Sequence, residues 1–279
     1  MNILMTGASG FIGTHLYNHL KKAHDITRIL SSTQSAREQN TYSVDLSNRT
    51  EVKNLVQDLS ITKFDVVIHL ASKMASPDSI EDMSILKKNV DIIENMVFLI
   101  KRLRPALIIH FSSMAVFPNV SGLFSENSLP MPQNNPDCIY GLSKFASEVL
   151  LDYFLRNEDI CIVHLRVAQV YGDGMRQDRI IPVMQKELEE RNTITVYGNG
   201  ERQSCFIEID KLVETVDYFV QNKVDGVYNV GDENISYFDL AENMIEQFGN
   251  GESTIIKKAR GNKEKFNLDT SKLQETTNT

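Results

Sequence analysis

The stretch "DCIYGLSKFASEVLLDYF" carries Tyr140 and Lys144 four residues apart. On a helix that spacing puts both side chains on one face. An ammonium beside a phenol favours the phenolate and lowers a pKa that otherwise lies near about 10. The spacing therefore predicts a general base working near neutral pH. Upstream, "LIIHFSSMAVFP" reads as a buried strand that ends in Ser112 and Ser113. A serine hydroxyl there can hydrogen-bond a hydroxyl or carbonyl and orient it toward Tyr140. Each signal alone has a plainer reading, since Tyr–Lys pairs occur on many solvated helix faces and strands often end in hydroxyls.

A second chemistry-bearing stretch is the opening "MNILMTGASGFIG". A short apolar strand meets a glycine turn and then a helix with Phe11, Ile12 and Leu16 inward. Gly7 allows a tight turn, Gly10 lets the backbone approach a pyrophosphate, and Gly13 lets the helix pack closely on the strand. The amides of the helix start, those of Phe11 and Ile12 among them, and its positive dipole receive the phosphates. The spacing is G-x-x-G-x-x-G rather than G-x-G-x-x-G, and a plain turn is the alternative. The second strand ends "TRILSS", placing Leu30 and Ser31 where an acid normally binds the adenosine ribose. Either Arg28 or Arg37 faces a 2′-phosphate there, or both are solvated surface arginines. NAD is the expected cofactor, and NADP stays open. In "SVDLSN", Asp45 can accept from the adenine amino group while Leu46 flanks the ring.

The elements that must position these residues follow from periodicity. Short β-branched runs at Asn2 to Thr6, Ile26 to Leu30, Tyr42 to Val44, Asp65 to Leu70, Leu107 to Ser112 and Ile160 to Val167 alternate with amphipathic segments. Met83 to Leu103 and Tyr140 to Asn157 are the longest of these. The alternation predicts an α/β fold with a doubly wound parallel sheet. After Tyr171 shorter pieces are separated by glycine turns. We therefore expect a dinucleotide-binding domain over 1–170 and a smaller substrate lobe over 171–279, interleaved with the first. The tail "NLDTSKLQETTNT" is polar enough to fray.

Composition narrows the partners. A net charge of −8 provides no basic footprint for nucleic acid or an anionic membrane, which favours small soluble ligands. Cys138, Cys161 and Cys205 lack paired spacing, so neither a disulfide framework nor a metal site is expected, only buried thiols. No apolar stretch approaches the ~20 residues of a membrane span, and the N-terminal run reaches glycine too soon for a signal peptide. The chain reads as cytoplasmic.

Taken together, "TGASGFIG", "DVVIHLAS", "FSSMAVF", "YGLSKFASE" and "VYGNGERQSCFIEIDKL" resemble the extended short-chain dehydrogenase/reductase family, in its NAD-dependent epimerase/dehydratase branch. The likeness runs in order through nearly the whole chain. It implies Tyr140 as acid/base, Lys144 on the nicotinamide ribose, and Ser113 on the substrate. Ser113 is preferred to Ser112 because it stands three before Val116. Leu70, Ala71 and Ser72 match the strand end bordering the cofactor, and Asn89 matches a helix asparagine of the family's "NVxGTxNLL" segments.

The resemblance also bears on the reaction. Family dehydratases carry an Asp-Glu pair after the catalytic Ser or Thr, whereas this chain has Met114 and Ala115, so dehydration is not expected. A nucleotide-sugar 4-epimerase is the leading expectation. The alternatives are a 4-keto-sugar reductase and a non-catalytic dinucleotide sensor or scaffold. Gln169 stands for an asparagine that usually contacts substrate. Ser204 stands for an arginine that usually grips the nucleotide diphosphate. Arg202 can compensate if it points inward, and Tyr197 can pack on a base. The chain ends soon after "DTSKL", which implies either lost lobe elements or a compact protein. Apolar residues around the two long helices, together with the family's habit of pairing them, imply a homodimer.

Overall fold

Runs with few interior charges become strands buried on both faces. The computed structural model describes residues 1–31, 39–59, 63–76 and 79–277. Its first half runs β1 (Asn2–Thr6), α1 (Phe11–Leu20), β2 (Asp25–Leu30), β3 (Thr41–Ser43), α2 (Arg49–Leu59), β4 (Val66–His69), α3 (Met83–Leu103), β5 (Leu107–Phe111), β6 (Gly122–Phe124), α4 (Cys138–Leu155) and β7 (Cys161–Val167). The second half continues through β8 (Gln169–Tyr171), α5 (Ile180–Arg191), β9 (Thr193–Tyr197), β10 (Gln203–Glu208), α6 (Ile209–Gln221) and β11 (Gly226–Val230). It closes with β12 (Glu233–Ser236), α7 (Tyr237–Phe248), β13 (Thr254–Lys258), β14 (Phe266–Leu268) and α8 (Ser271–Thr277).

Seven strands form one parallel sheet in the order β11-β7-β5-β4-β1-β2-β3. The chain starts in the middle and winds outward in both directions, which is the doubly wound arrangement the alternation predicts. Period-two alternation then splits each strand between two cores. Ile3 and Met5 of β1 join Leu16 of α1 and Val216 of α6 on one face. Leu4 joins Leu55 of α2, Ile93 of α3 and Leu151 of α4 on the other. The topological switch falls between β1 and β4, and α/β folds bind ligands at the carboxyl ends of such strands.

The 21 residues of α3 match the sequence reading, because both ends are signalled. Asp82 caps the start by accepting from the Ser84 amide at 2.8 Å, and Arg104 ends it in the left-handed region at φ 48°. The expected start of α4 moves forward to Cys138, and its last turn ends at Leu155.

The second half also adds to the sheet: β11 returns to form its edge beside β7, and β14 pairs with β6 from the first half. One expectation changes. The tail through Thr277 is ordered rather than frayed. Leu273 is buried, Lys272 Nζ donates to the Val227 carbonyl at 2.7 Å, and Tyr218 Oη donates to the Thr276 carbonyl at 2.6 Å. Polar composition had hidden a short amphipathic segment with one apolar anchor. Away from the sheet, α5, β9 and α7 enclose a small core of Met184, Leu188, Val196 and Met244. Of the cysteines only Cys205 is fully buried, and that burial pushes its thiol up to about 12; Cys138 and Cys161 are half-buried.

Candidate active site

The opening glycines have three separate tasks. Gly7 sits at φ 71°, and a Cβ there would stand 2.8 Å from the Ala71 amide nitrogen. A Cβ on Gly13 would stand 2.2 Å from the Gly7 carbonyl oxygen, so α1 can seat on the turn only without one. Gly10 differs: its φ of −75° suits any residue, and its nearest neighbour would be 3.4 Å from a Cβ. The fold itself does not require glycine at position 10. A Cβ there would instead stand on the exposed surface over the start of α1, where Gly10 caps the helix with no side-chain bond. The first amides of α1, at Phe11, Ile12 and Gly13, begin the helix there, which is the geometry that receives a pyrophosphate.

The strand ends flank this turn. Leu70 and Ala71 donate their amides to the Thr6 carbonyl and hydroxyl at 3.3 Å each, so the segment through Ser72 runs directly beside Gly7. Asn89 is buried, with its amide group spent behind that segment. It accepts from the Lys73 amide at 2.6 Å and donates to the Lys73 carbonyl at 3.0 Å and to Ser143 Oγ at 2.8 Å. It therefore holds the loop after β4 against α3 and α4.

Ser31 is exposed at the end of β2. Arg28 lies 4.2 Å over the Tyr17 ring and donates to Thr41 Oγ1 at 3.0 Å, so its guanidinium is held along the sheet edge; Arg37 lies outside the described residues. Asp45 is exposed just past β3, and its bonds from Ser47 lead the effects that hold its carboxyl below the usual range. Leu46 beside it is buried among α2 and α3 residues, with its carbonyl accepting from Asn95.

Tyr140 and Lys144 on α4 and Ser113 just past β5 lie at the carboxyl edge of the sheet. Ser112 is buried and donates to Glu148, whereas Ser113 stays partly accessible. Ser113 caps a short 3-10 turn, Met114–Val116, with its Oγ accepting from the Ala115 amide at 3.1 Å. Gly141 brings α4 onto that turn, because a Cβ there would meet the Ala115 carbonyl oxygen at 2.1 Å. The structure thus leaves Ser113, not Ser112, available to a ligand.

The electrostatics correct one expectation. Lys144 was expected to draw the Tyr140 pKa down toward neutrality. In the protein alone burial dominates and pushes the Tyr140 phenol up to about 12, with Asp137 acting in the same direction; a hydrogen bond with Ser72 and the Arg179 charge oppose it. Lys144 Nζ is 5.7 Å from the Tyr140 ring centroid and donates to the Phe111 carbonyl at 2.7 Å. Burial pulls the ammonium itself down to about 8, against the pull of Glu148. The protein therefore presents Tyr140 as a neutral phenol bonded to Ser72. Sequence reasoning missed Ser72 in this role, and missed Arg179, because neither lies near Tyr140 in the chain.

The two residues that depart from the family pattern turn out to be partners. Gln169 Nε2 donates to Ser204 Oγ at 2.7 Å across the β8–β10 pair, so that nitrogen is spent within the protein. Arg202 does point inward. It lines a cleft of about 180 Å³ with Met184, Val196, Tyr197 and Tyr237, and lies 5.0 Å over the Tyr237 ring. Its Nε is buried with no hydrogen-bond partner among the described residues. Tyr197 forms the cleft's rim, half-exposed beneath Arg260.

Comparison with known proteins identifies the family. The chain is 24% identical over 267 residues to dTDP-D-glucose 4,6-dehydratase of Dictyostelium discoideum, covering 87% of this chain and 61% of that one. It is 27% identical over 232 residues to UDP-glucose 4-epimerase of Mycolicibacterium smegmatis, covering 77% and 71%. A solved UDP-glucuronic acid 4-epimerase variant from Bacillus cereus, in complex with a fluorinated UDP-glucuronic acid and NAD, superposes with a TM-score of 0.79 at 26% identity, covering 99% and 92%. The sequence model of the NAD dependent epimerase/dehydratase family matches residues 3–231, and the chain belongs to that family.

Proposed function

We propose that this chain is a nucleotide-sugar epimerase that uses NAD, or NADP, to invert the sugar at C4. The observation that carries this reading is the placement of Ser113, Tyr140 and Lys144 at one edge of the sheet, with Met114 and Ala115 following Ser113. Neither of those two can give or take the protons that expelling water needs. The relationship to a UDP-glucose 4-epimerase supports the same class.

The residues present fit the dinucleotide. The α1 amides and Gly10 would hold the pyrophosphate, Asp45 the adenine amino group, and the Leu70 to Ser72 segment the nicotinamide side, with Lys144 on the ribose. Bound NAD supplies a hydride acceptor and a cationic ring that favours the Tyr140 phenolate. Ser113 Oγ would orient the C4 hydroxyl. Tyr140 Oη would take the C4 hydroxyl proton as hydride leaves C4 for the cofactor, and would give it back to the C4 oxygen as the same hydride returns to the other face of the sugar. Arg202, with its unpaired Nε, and Tyr197 would hold the nucleotide diphosphate and base, since a buried donor without a partner costs about 1–3 kcal/mol until a ligand satisfies it.

Incubating the purified protein with UDP-hexoses tests the reading. A 4-epimer formed without change in the cofactor pool is the expected result, and no turnover of any nucleotide sugar would refute it. Net oxidation of NADH or NADPH supplied together with a nucleotide 4-keto-sugar would indicate 4-keto-sugar reduction instead.

We also infer a homodimer formed through α4, whose outer face exposes Leu142, Val149, Tyr153 and Phe154. Among the described residues no helix is long and apolar enough to cross a membrane.

A further inference from the structure

The helix that carries Tyr140 and Lys144 continues the same stripe one turn further, to Glu148. Glu148 is 3% exposed, and its carboxylate is fully engaged. Oε1 accepts from Ser112 Oγ and from Arg166 Nε at 3.1 Å, and Oε2 accepts from Arg166 Nη2 at 2.8 Å. Arg166 is itself fixed from β7, lying 5.0 Å over Phe117 and donating to the Glu126 carbonyl at 3.2 Å. Two residues one turn apart on α4 thus grip two successive residues of the β5 exit, Lys144 holding the Phe111 carbonyl and Glu148 the Ser112 hydroxyl. The next residue in the chain is Ser113.

We propose that Glu148 is a positioning residue of the site: through Ser112 it fixes the turn that aims Ser113, and it supplies the buried countercharge of the Lys144 ammonium. This inference rests on the proposed roles of Ser113 and Lys144. The charge argument comes from burial. An ammonium in a desolvated pocket loses its proton readily unless a carboxylate lies within a helical turn. The other titratable groups facing that pocket do not supply one. His69 of β4 and His110 of β5 are held neutral by burial, Arg166 and His164 of β7 carry no negative charge, and α3 contributes the uncharged Asn89. Burial pulls Lys144 down to about 8 even with Glu148 present.

Three variants separate the two roles: Glu148→Gln, the double variant Glu148→Gln/Arg166→Gln, which avoids stranding the arginine, and Ser112→Ala. The Lys144 midpoint is read by NMR of ¹³Cε-labelled lysine, using the resonance absent from Lys144→Arg. Glu148→Gln is expected to lower it by about one pH unit and to move the basic limb of kcat the same way. The double variant, which also removes the positive charge of Arg166, is expected to lower it by less. Ser112→Ala is expected to leave the midpoint in place while lowering kcat about tenfold with little change in KM. An unmoved midpoint in both Glu148 variants, or an unchanged kcat in Ser112→Ala, would overturn the inference. If the unaltered protein turns over no nucleotide sugar, the epimerase reading falls, while a lowered midpoint still upholds the countercharge role.

Discussion

At the scale of single residues, Tyr140 is set by its surroundings rather than by its nearest charged neighbour in sequence. The Tyr–Lys spacing correctly puts both side chains at the sheet edge. It does not show that the ammonium turns toward the Phe111 carbonyl, or that desolvation leaves the phenol near 12. Spacing fixes a face of a helix; burial depends on what the rest of the chain packs around it. Tyr140→Phe removes only the acid/base atom and its bond with Ser72. We expect a loss in kcat on the order of a thousandfold, with NAD affinity by calorimetry nearly unchanged. An activity that survives the change would remove Tyr140 from its assigned role. Arg202, Ser113 and Ser72 were legible because motif positions named them. The bond of Ser72 with Tyr140, and the parts of Arg179 and Glu148, were not, since each acts through contacts made across the sheet edge or beneath α4.

At the scale of elements, the glycine turn and the underside of α4 make distinct demands. Gly13 is required by packing, Gly10 only by what approaches from outside. Gly13→Ala should therefore destabilise by about 3 kcal/mol in urea melts. Gly10→Ala should cost well under about 1 kcal/mol yet weaken NAD binding at least about tenfold. Equal loss of stability from both changes would contradict the separation. Beneath α3 and α4 four neighbouring strands align Thr6, His69, His110 and His164 in register. Thr6 Oγ1 bonds His69 Nδ1 at 2.7 Å, His69 stacks on His110, and His110 Nδ1 meets His164 Nδ1 at 2.9 Å. Burial holds His110 well below its ordinary value and His69 down at about 3. Unfolded histidine titrates near about 6.5, so the unfolded state binds protons that the native state refuses. The stability from these neutral rings is fully present above that pH and is lost as pH falls toward 3. Each should contribute a slope of about 1.4 kcal/mol per pH unit. Urea midpoints at pH 7, 6 and 5 should fall accordingly, with a shallower slope in His69→Gln. The strand positions of these histidines were readable from the sequence, but their alignment needed the register.

At the scale of the whole molecule, the doubly wound sheet was legible because buried parallel strands read as apolar runs and the long helices have marked ends. Its edge strand β11 and the ordered tail were not, because both depend on partners far along the chain, β7 for one and Tyr218 and Val227 for the other. The exposed apolar residues of α4 predict a dimer at micromolar concentration by light scattering. Val149→Lys with Tyr153→Lys should shift it to monomer, and a monomer before any substitution would contradict the pairing. The central claim is that one site removes and returns the same hydrogen at C4. Incubation with a UDP-hexose deuterated at C4, followed by mass spectrometry of the product, tests this most directly. The account predicts a 4-epimer that keeps its deuterium at C4 while the cofactor pool is unchanged. Deuterium lost to solvent, or accumulating in free reduced cofactor, would contradict it.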